Sequence, residues 1–260
     1  MVSVAMLLWL FAALPLSVTP TRIAVALGVT AVLGVLSYLL QFASLPGMLT
    51  GVLLSLLTIV LGDYGWFVML VAFFGVGGLS TKYGYEVKQQ RGIAEENEGA
   101  RGTGNVLANS LVALVAVLAV PLGSELGIAE EVFLYAFAGA VAAALADTLS
   151  SEIGAMYDDP RLITSLEPVE PGTDGAVTWQ GTVAGVVGAA VVAAVGVSAG
   201  IGTAGVAVVL FAGTVGMTVD SLLGVVLEGP VLGNQGVNFF ATLAAAIAAA
   251  TVTVSAGVSV

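Results

Sequence analysis

The sequence predicts an all-α protein that crosses the membrane many times as a bundle of helices. Hydrophobic residues make up 58% of the chain and charged residues only 9%, and the mean hydropathy is +1.08. These values lie far from the averages of soluble domains. Apolar runs recur along the whole chain, each about 17 to 23 residues long, and a helix of that length crosses a hydrocarbon core of about 30 Å.

Nine apolar runs predict about nine spans. They cover roughly residues 2–18, 22–42, 45–61, 64–80, 105–122, 131–149, 179–199, 203–226 and 237–257. The third run is the shortest, and Pro46 and Gly47 at its start are also compatible with a re-entrant segment. The first run lacks the basic region and cleavage site of a removable signal. We therefore expect it to be a span, within a single integral membrane domain that comprises residues 1–260.

The Lys and Arg residues predict the orientation of the spans. Four of the six lie between Lys82 and Arg101, and short cytoplasmic loops are enriched in such residues. The N-terminus is then cytoplasmic, in the cell membrane. Three polar loops share that side, namely residues 81–104, 150–178 and 227–236. We interpret residues 1–80 as an accessory layer of four spans and residues 81–260 as the catalytic bundle.

Two pairs of similar segments indicate internal helix-hairpin repeats. "ADTLSSEIG" and "VDSLLGVVLEG" both place an Asp and a hydroxyl residue near the polar end of a span, with Glu and Gly following. "GTGNVLANSL" and "GNQGVNFFATL" both lead from a glycine-rich turn through amides into a span. Membrane proteins often form their sites between such repeats.

Asp147 and Asp220 lie inside apolar runs, where a carboxylate is costly unless it has a partner or a wet cavity. They either cap or hydrogen-bond neighbouring helices, or they form a functional site. Asp147 shares a helical face with Ser150, Ser151 and Gly154 at offsets of three, four and seven. Glu152 lies about 140° away around the helix and joins this group only if the helix unwinds, which Gly154 permits.

Such carboxylates suit several chemistries. Magnesium is bound by one or two carboxylates together with substrate phosphates, whereas a transporter uses carboxylates to bind sodium or relay protons. Four cations, Lys82, Lys88, Arg91 and Arg101, and the "RGTGN" turn are candidates for contacting phosphate. The alternative is that they are topology anchors or contacts for lipid headgroups.

Other chemistries are excluded. The chain contains no Cys and no His, so disulfides, thiolate nucleophiles, imidazole bases and the usual zinc sites are absent. No Walker A loop or dinucleotide-binding fingerprint occurs in its required context. "EPGTDGAVTWQGT" contains a tight turn, in a loop between spans that is long for a simple connector.

Three polar blocks resemble one known family. "LSTKYGYEVKQQRGIAEENEGARGTGNVLANS", "ADTLSSEIG" and "EPGTDGAVTWQGTVAG", in this order, are similar to the domain of unknown function 92 family, which includes the plant phytyl-phosphate kinase of tocopherol synthesis. The resemblance extends from about Leu36 onward. It implies a membrane kinase that transfers a phosphoryl group from a nucleoside triphosphate, with CTP favoured, to an isoprenoid monophosphate such as geranylgeranyl or phytyl phosphate.

The resemblance also implies roles for individual residues. The catalytic set is Asp147, Glu152 and Lys82, with Mg²⁺ on Asp147 and Glu152. By the resemblance, the residues expected near nucleotide or phosphate are Arg101, Asn105, Asn109, Ser151, Thr173 and Gly175. The charges and positions described above add Lys88, Arg91 and Asp220 to this set.

Two other functions remain open. One is a cation-coupled transporter with a site between repeats, and the other is a lipid cytidylyltransferase that releases pyrophosphate from CTP. The expected partners are the bilayer, a prenyl phosphate and a nucleoside triphosphate, without nucleic acid. The net charge of −11 with only two lysines suggests loops adapted to high salt, as in halophilic archaea.

Overall fold

The computed structural model describes residues 18–95, 97–229 and 231–256, which are mostly helical. The helices within these ranges are α1 (Pro20–Leu39), α2 (Leu45–Leu61), α3 (Tyr64–Lys82), α4 (Tyr85–Gln90), α5 (Thr103–Glu125), α6 (Glu130–Gly154), α7 (Trp179–Gly196), α8 (Thr203–Leu227) and α9 (Asn234–Ala256). The same ranges contain two 3₁₀ turns, Asn97–Gly99 and Val197–Ala199, and two short strands, β1 (Arg161–Leu162) and β2 (Ala176–Val177).

The helices confirm the polytopic bundle. In the described ranges, seven helices are long and apolar enough to cross a membrane: α1, α3 and α5 to α9. Helix α2 is apolar but has only 17 residues. It is an unbroken helix rather than a re-entrant turn, and the Ser44 hydroxyl caps its start by accepting a hydrogen bond from the Gly47 amide at 3.3 Å. The predicted first span, residues 2–18, lies outside the described residues except for residue 18.

Helix α6 forms the centre of the bundle and packs against α3, α5, α7, α8 and α9. Its middle is rich in alanine and fully buried, because small side chains allow helices to approach closely. Gly213 of α8 faces this stretch, and a Cβ there would lie 2.9 Å from the Ala142 Cβ. Helix α6 continues to Gly154 rather than ending near residue 149, so Asp147 and Glu152 both lie on regular helix.

The first helices are not equally peripheral. Helix α1 packs mainly against α2, and α2 packs against α3 and α5, whereas α3 contacts α6 and α7 directly. Within the described part of the predicted accessory layer, α1 and α2 are therefore the peripheral helices. Helix α3 instead packs directly on the central helix.

The polar segments meet at one end of the bundle. Strands β1 and β2 pair antiparallel, and β2 contacts α6 and α8. This hairpin folds residues 160–178 back over the ends of these two helices. The result is a polar cap over the end of the bundle that carries Asp147 and Asp220.

Candidate functional site

A polar cavity of about 410 Å³ opens at this end of the bundle. It is lined by the ends of α6 and α8, by residues 171–178 of the hairpin, by Gly92 and Ile93, and by Asn234 at the start of α9. All three polar segments of the sequence therefore contribute to one cavity.

Asp147 and Asp220 meet within this cavity. The packing of α6 against α8 brings their carboxyl groups within hydrogen-bonding range of each other. Asp220 is only 8% exposed, and Asp147 is half-buried. Two anionic groups this close in a poorly solvated position repel each other strongly, and either a shared proton or a bound cation would relieve that repulsion.

The face of α6 that carries Asp147 is the face that the residue spacing predicts. Ser150, Ser151 and Gly154 line the cavity beside Asp147. Glu152 points elsewhere, because α6 remains helical to Gly154. The cavity therefore has two hydroxyl groups on the same helix face as its first carboxyl group.

The turn "PGTDG" covers the cavity. Gly175 has a φ of +74°, and a Cβ there would lie 2.6 Å from the Ser221 carbonyl oxygen on α8. The Ile163 amide donates a hydrogen bond to the Gly175 carbonyl at 3.1 Å. Only glycine fits this close approach with a positive φ, so the turn is held directly on α8.

Glu228 follows the last residue of α8 and also lines the cavity. Burial and the nearby carboxylate of Asp174 raise the pKa of Glu228, whereas a hydrogen bond with the Asn234 side chain acts in the opposite direction. With Asp174 and Glu228, the cavity thus has two further acidic groups beside Asp147 and Asp220.

Lys88 and Glu152 form a separate buried ion pair. The Lys88 ammonium donates hydrogen bonds to Glu152 Oε2 at 2.5 Å, to the Thr81 carbonyl at 2.8 Å and to the Ser80 carbonyl at 3.2 Å. Lys88 is 1% exposed. An ammonium has three donors, so none is left for a phosphate, and the Glu152 carboxylate is neutralised away from the cavity. We therefore assign neither residue to phosphate or metal.

Lys82 and Arg91 hold polar segments in place. The Lys82 ammonium donates to the Glu98 carbonyl. The Arg91 guanidinium donates to the carbonyls of Ala155 and Tyr157, each at 3.2 Å, and to the Asp158 carboxylate at 2.6 Å. Arg91 thereby fastens the segment that leaves α6 to the end of α4.

Asn105, Asn109 and Arg101 lie outside the cavity lining. The Asn109 amide donates to the Asn105 carbonyl at 3.0 Å, and the Asn105 amide donates to Glu95 Oε1 at 3.3 Å. Burial lowers the pKa of the Arg101 guanidinium, and the carboxylates of Glu152, Glu95 and Asp147 oppose that shift. Arg101 is therefore an electrostatic neighbour of the cavity without lining it.

The cavity thus gathers part of the predicted site. The predicted residues that line it are Asp147, Ser151, Thr173, Gly175 and Asp220. The predicted residues that do not are Lys82, Lys88, Arg91, Arg101, Asn105, Asn109 and Glu152. Sequence reasoning left Asp174, Glu228 and Asn234 out of the candidate set, although each lies in one of the three polar segments that it singled out.

The acidic groups limit the kind of metal site. Within residues 18–95, 97–229 and 231–256, no cluster of three or more acidic side chains forms a complete metal-binding set. The two carboxyl groups of Asp147 and Asp220 instead match the preference of Mg²⁺ for one or two carboxylates, with water and substrate phosphates as the other ligands. The residues present fit that ion.

Comparisons with known proteins identify relatives that are membrane proteins. The family model described as integral membrane protein DUF92 matches residues 28–246. The uncharacterized membrane protein sll0875 of Synechocystis is 34% identical over 198 residues, which are 73% of this chain and 76% of that protein. The uncharacterized membrane protein MJ0933 of Methanocaldococcus jannaschii is 32% identical over 210 residues, 77% and 82% of the two chains.

A plant relative is also similar. The chloroplastic protein VTE6 of Arabidopsis thaliana is 30% identical over 154 residues, which are 59% of this chain and 46% of that protein. No solved structure matches the chain.

Proposed function

This chain belongs to the integral membrane protein DUF92 family, and from that premise we propose that it is a kinase of isoprenoid monophosphates. The observation that carries the proposal is the pair of facing carboxyl groups, Asp147 and Asp220, in a polar cavity at one end of an apolar bundle. The resemblance of the polar blocks to a family that includes a phytyl-phosphate kinase supports the substrate class. CTP is the favoured donor on the same ground.

The proposed reaction needs positioning and charge neutralisation more than a strong base. An oxygen of the acceptor monophosphate forms a bond to the γ-phosphorus of the donor. The bond from that phosphorus to the β–γ bridging oxygen breaks, which leaves the prenyl diphosphate and a nucleoside diphosphate. The attacking phosphate is already ionised, so the absence of His and Cys from the chain is no obstacle.

The cavity residues take distinct parts in this proposal. Asp147 and Asp220 would hold Mg²⁺, which neutralises charge on the transferring phosphates. Among the described residues, no Lys or Arg lines the cavity, so inside the cavity itself the metal would supply this neutralisation. The hydroxyls of Ser150 and Ser151 are positioned to donate hydrogen bonds to a phosphate, and the turn containing Thr173 and Gly175 covers the bound nucleotide.

The test is a product assay with purified protein in detergent. The protein is incubated with Mg²⁺ and geranylgeranyl monophosphate, with CTP or ATP in parallel, at low and high salt, and the products are separated by chromatography. We expect geranylgeranyl diphosphate together with CDP. The Asp147→Asn variant should lose this activity. The matched control is Asp159→Asn, the same substitution at an exposed acid of the same polar segment, which should remain active.

Other products would contradict the proposal in different ways. A CDP-linked lipid with pyrophosphate would identify a cytidylyltransferase. The absence of turnover, combined with sodium or proton coupling and no Mg²⁺-dependent nucleotide binding, would identify a transporter.

A further inference from the structure

A second cavity lies outside the site described above, between helices α1, α2 and α3. We call it the lateral groove. Its volume is about 230 Å³, and its walls include Leu33, Met48, Val52, Phe67 and Val71. It begins at the polar end of the bundle, beside Arg101, and runs along the three helices. Leu36 and Leu40 at its edge are exposed, so the groove is open toward the side of the bundle that faces lipid.

Two of the hydroxyl groups in the wall of the groove donate hydrogen bonds to carbonyls of their own helix. Thr30 donates to the Ala26 carbonyl at 2.8 Å, and Ser37 donates to the Gly34 carbonyl at 2.7 Å. An occupant therefore meets a surface that is apolar along these helices. This surface suits a hydrocarbon chain, which gains free energy by contact with apolar walls.

One charged group interrupts this apolar surface. Arg101 lines the groove and is only 6% exposed. Its Nη2 lies 3.5 Å from the Thr81 hydroxyl, and its Nη1 has no hydrogen-bond partner among the described residues. Buried polar groups almost always have a partner, and a charged donor is the costliest to leave without one. An anion at the end of the groove would supply that partner.

The protein holds the Arg101 side chain in place. The Arg101 amide donates to the Phe42 carbonyl at 3.1 Å, and the Arg101 carbonyl accepts from the Ser44 amide at 3.0 Å. The guanidinium lies over the Phe73 ring at 5.4 Å and against Gly77, where a Cβ would be 3.1 Å from Nη2. The cation is thus fixed in position before any ligand binds.

Arg101 connects the groove with the polar cavity through its charge. Arg101 lines the groove, and its charge also acts on Asp147 in the cavity. An amphiphile with its chain in the groove would therefore carry its anionic end toward the carboxyl pair. A diacyl phospholipid has two chains, whereas the groove provides one channel that ends at one cation.

We propose that the lateral groove binds the isoprenoid chain of the acceptor and that Arg101 pairs with the acceptor's phosphate. This inference rests on the proposed kinase function and locates its lipid substrate. It also gives α1 and α2, the outer pair of helices, a part in substrate binding.

The first test closes the groove without disturbing its walls. Gly51 lines the groove, and a Cβ there would meet no atom within 4 Å. A leucine at this position fills open space and favours the helix more than glycine does. We expect Gly51→Leu to raise the KM for geranylgeranyl monophosphate about tenfold or more, with the KM for CTP unchanged. The matched control is Gly28→Leu, because Gly28 is equally unobstructed but lies outside the groove.

The second test measures binding without turnover. A geranylgeranyl monophosphate that carries a diazirine at the end of its chain is photo-crosslinked to the protein, and the labelled peptides are mapped by mass spectrometry. We expect label on α1 to α3, near Thr30 and Phe67 at the end of the groove away from Arg101, with competition by geranylgeranyl monophosphate. Gly51→Leu should abolish the label and Gly28→Leu should retain it.

The third test isolates Arg101. In the parent protein, geranylgeranyl monophosphate should compete with the probe at least about tenfold better than geranylgeraniol. The reason is that a hydrogen bond between the charged guanidinium and the charged phosphate is strong. Arg101→Gln should remove this difference, and Arg101→Lys should restore part of it. The Arg101 variants are compared only if their thermal stability in detergent matches that of the parent.

The outcomes separate this inference from the kinase proposal. Label in the groove without phosphoryl transfer from any nucleotide would contradict the kinase proposal alone. Turnover with an unchanged KM in Gly51→Leu, or label outside the groove, would overturn the groove assignment alone. Equal competition by phosphatidic acid would show that the groove holds ordinary phospholipid, which also overturns it.

Discussion

Two pairs of ionisable side chains lie near the polar end of α6, and they differ in sign and in surroundings. Lys88 and Glu152 have opposite charges, and the lysine uses its three donors within the protein. Asp147 and Asp220 have the same charge and face a polar cavity. The charges of the first pair offset each other, whereas the like charges of the second are offset only by a shared proton or a bound cation. A buried charge alone therefore does not identify a functional site, whereas a buried charge without a counter-charge in the protein does.

The largest effect should come from breaking the complete pair. We expect Lys88→Met to lower the free energy of unfolding by about 3–5 kcal/mol, because Glu152 remains as an uncompensated buried charge. The double variant Lys88→Met/Glu152→Leu should recover most of that loss. The measurement is the thermal midpoint in detergent.

The control for this prediction is the exposed pair formed by Arg91 and Asp158. Asp158 is 84% exposed, so Asp158→Asn should cost no more than about 1 kcal/mol. A Lys88→Met protein as stable as the parent would show that the Lys88–Glu152 pair is not structural, and the contrast drawn between the two pairs would fail.

Breaking the second pair should affect activity instead of stability. We expect Asp147→Asn and Asp220→Asn each to lower kcat about 100-fold or more, equivalent to about 2.7 kcal/mol, because a metal ligand is lost. Their thermal midpoints should equal or exceed that of the parent, since a repulsion is removed. Activity is followed as prenyl diphosphate formed. A strongly destabilised but active Asp220→Asn protein would mean that this pair is structural too.

The sequence predicts one of these pairs better than the other. The period of the helix places Asp147 on one face with Ser150, Ser151 and Gly154, and the cost of a carboxylate in a span marks Asp220. Both are properties of a single helix, and hydropathy and spacing are sufficient to predict them. The meeting of the three polar segments at one end follows from the topology.

Hydropathy and helical spacing do not predict the pairing of Lys88 with Glu152. The two residues are 64 positions apart, and their contact depends on how α4 packs beside the end of α6. The sequence also does not indicate that Arg101 faces a groove made by α1 to α3. The apolar residues of these helices follow no pattern that distinguishes a groove wall from a lipid-facing surface. Local periodicity therefore finds the site residues on α6, while tertiary packing decides which cations are already occupied.

A smaller effect should come from loosening the cover of the cavity. In Gly175→Ala, the positive φ costs about 1–2 kcal/mol, and the new Cβ approaches the Ser221 carbonyl. We expect the turn to move away from α8 and the KM for nucleotide to rise, with little change in the KM for the prenyl phosphate. Gly127→Ala is the control, because Gly127 has a φ of +70° but no atom within 4 Å of the added Cβ. If both variants bind nucleotide like the parent, the turn does not contact the nucleotide.

The smallest effect on stability should come from replacing Glu228 at the edge of the cavity. This substitution tests whether acidic groups without a counter-charge extend beyond Asp147 and Asp220. Burial and Asp174 raise the pKa of Glu228, so the folded state favours its protonated form. The contribution of Glu228 to the free energy of unfolding is then fully present below the ordinary carboxyl pKa of about 4.3. It is lost as the pH rises through the raised pKa of the folded state. Glu228→Gln should therefore be slightly more stable than the parent at pH 8 and equal to it at pH 4.

Thermal midpoints of the two proteins at both pH values check this sign. Because Mg²⁺ would offset the acidity of the cavity, adding the ion should narrow the difference at pH 8. A difference that is the same at pH 4 and pH 8 would mean that Glu228 acts through its hydrogen bond with Asn234 and not through its charge. The uncompensated acidity would then be confined to Asp147 and Asp220, the pair for which we propose a bound cation.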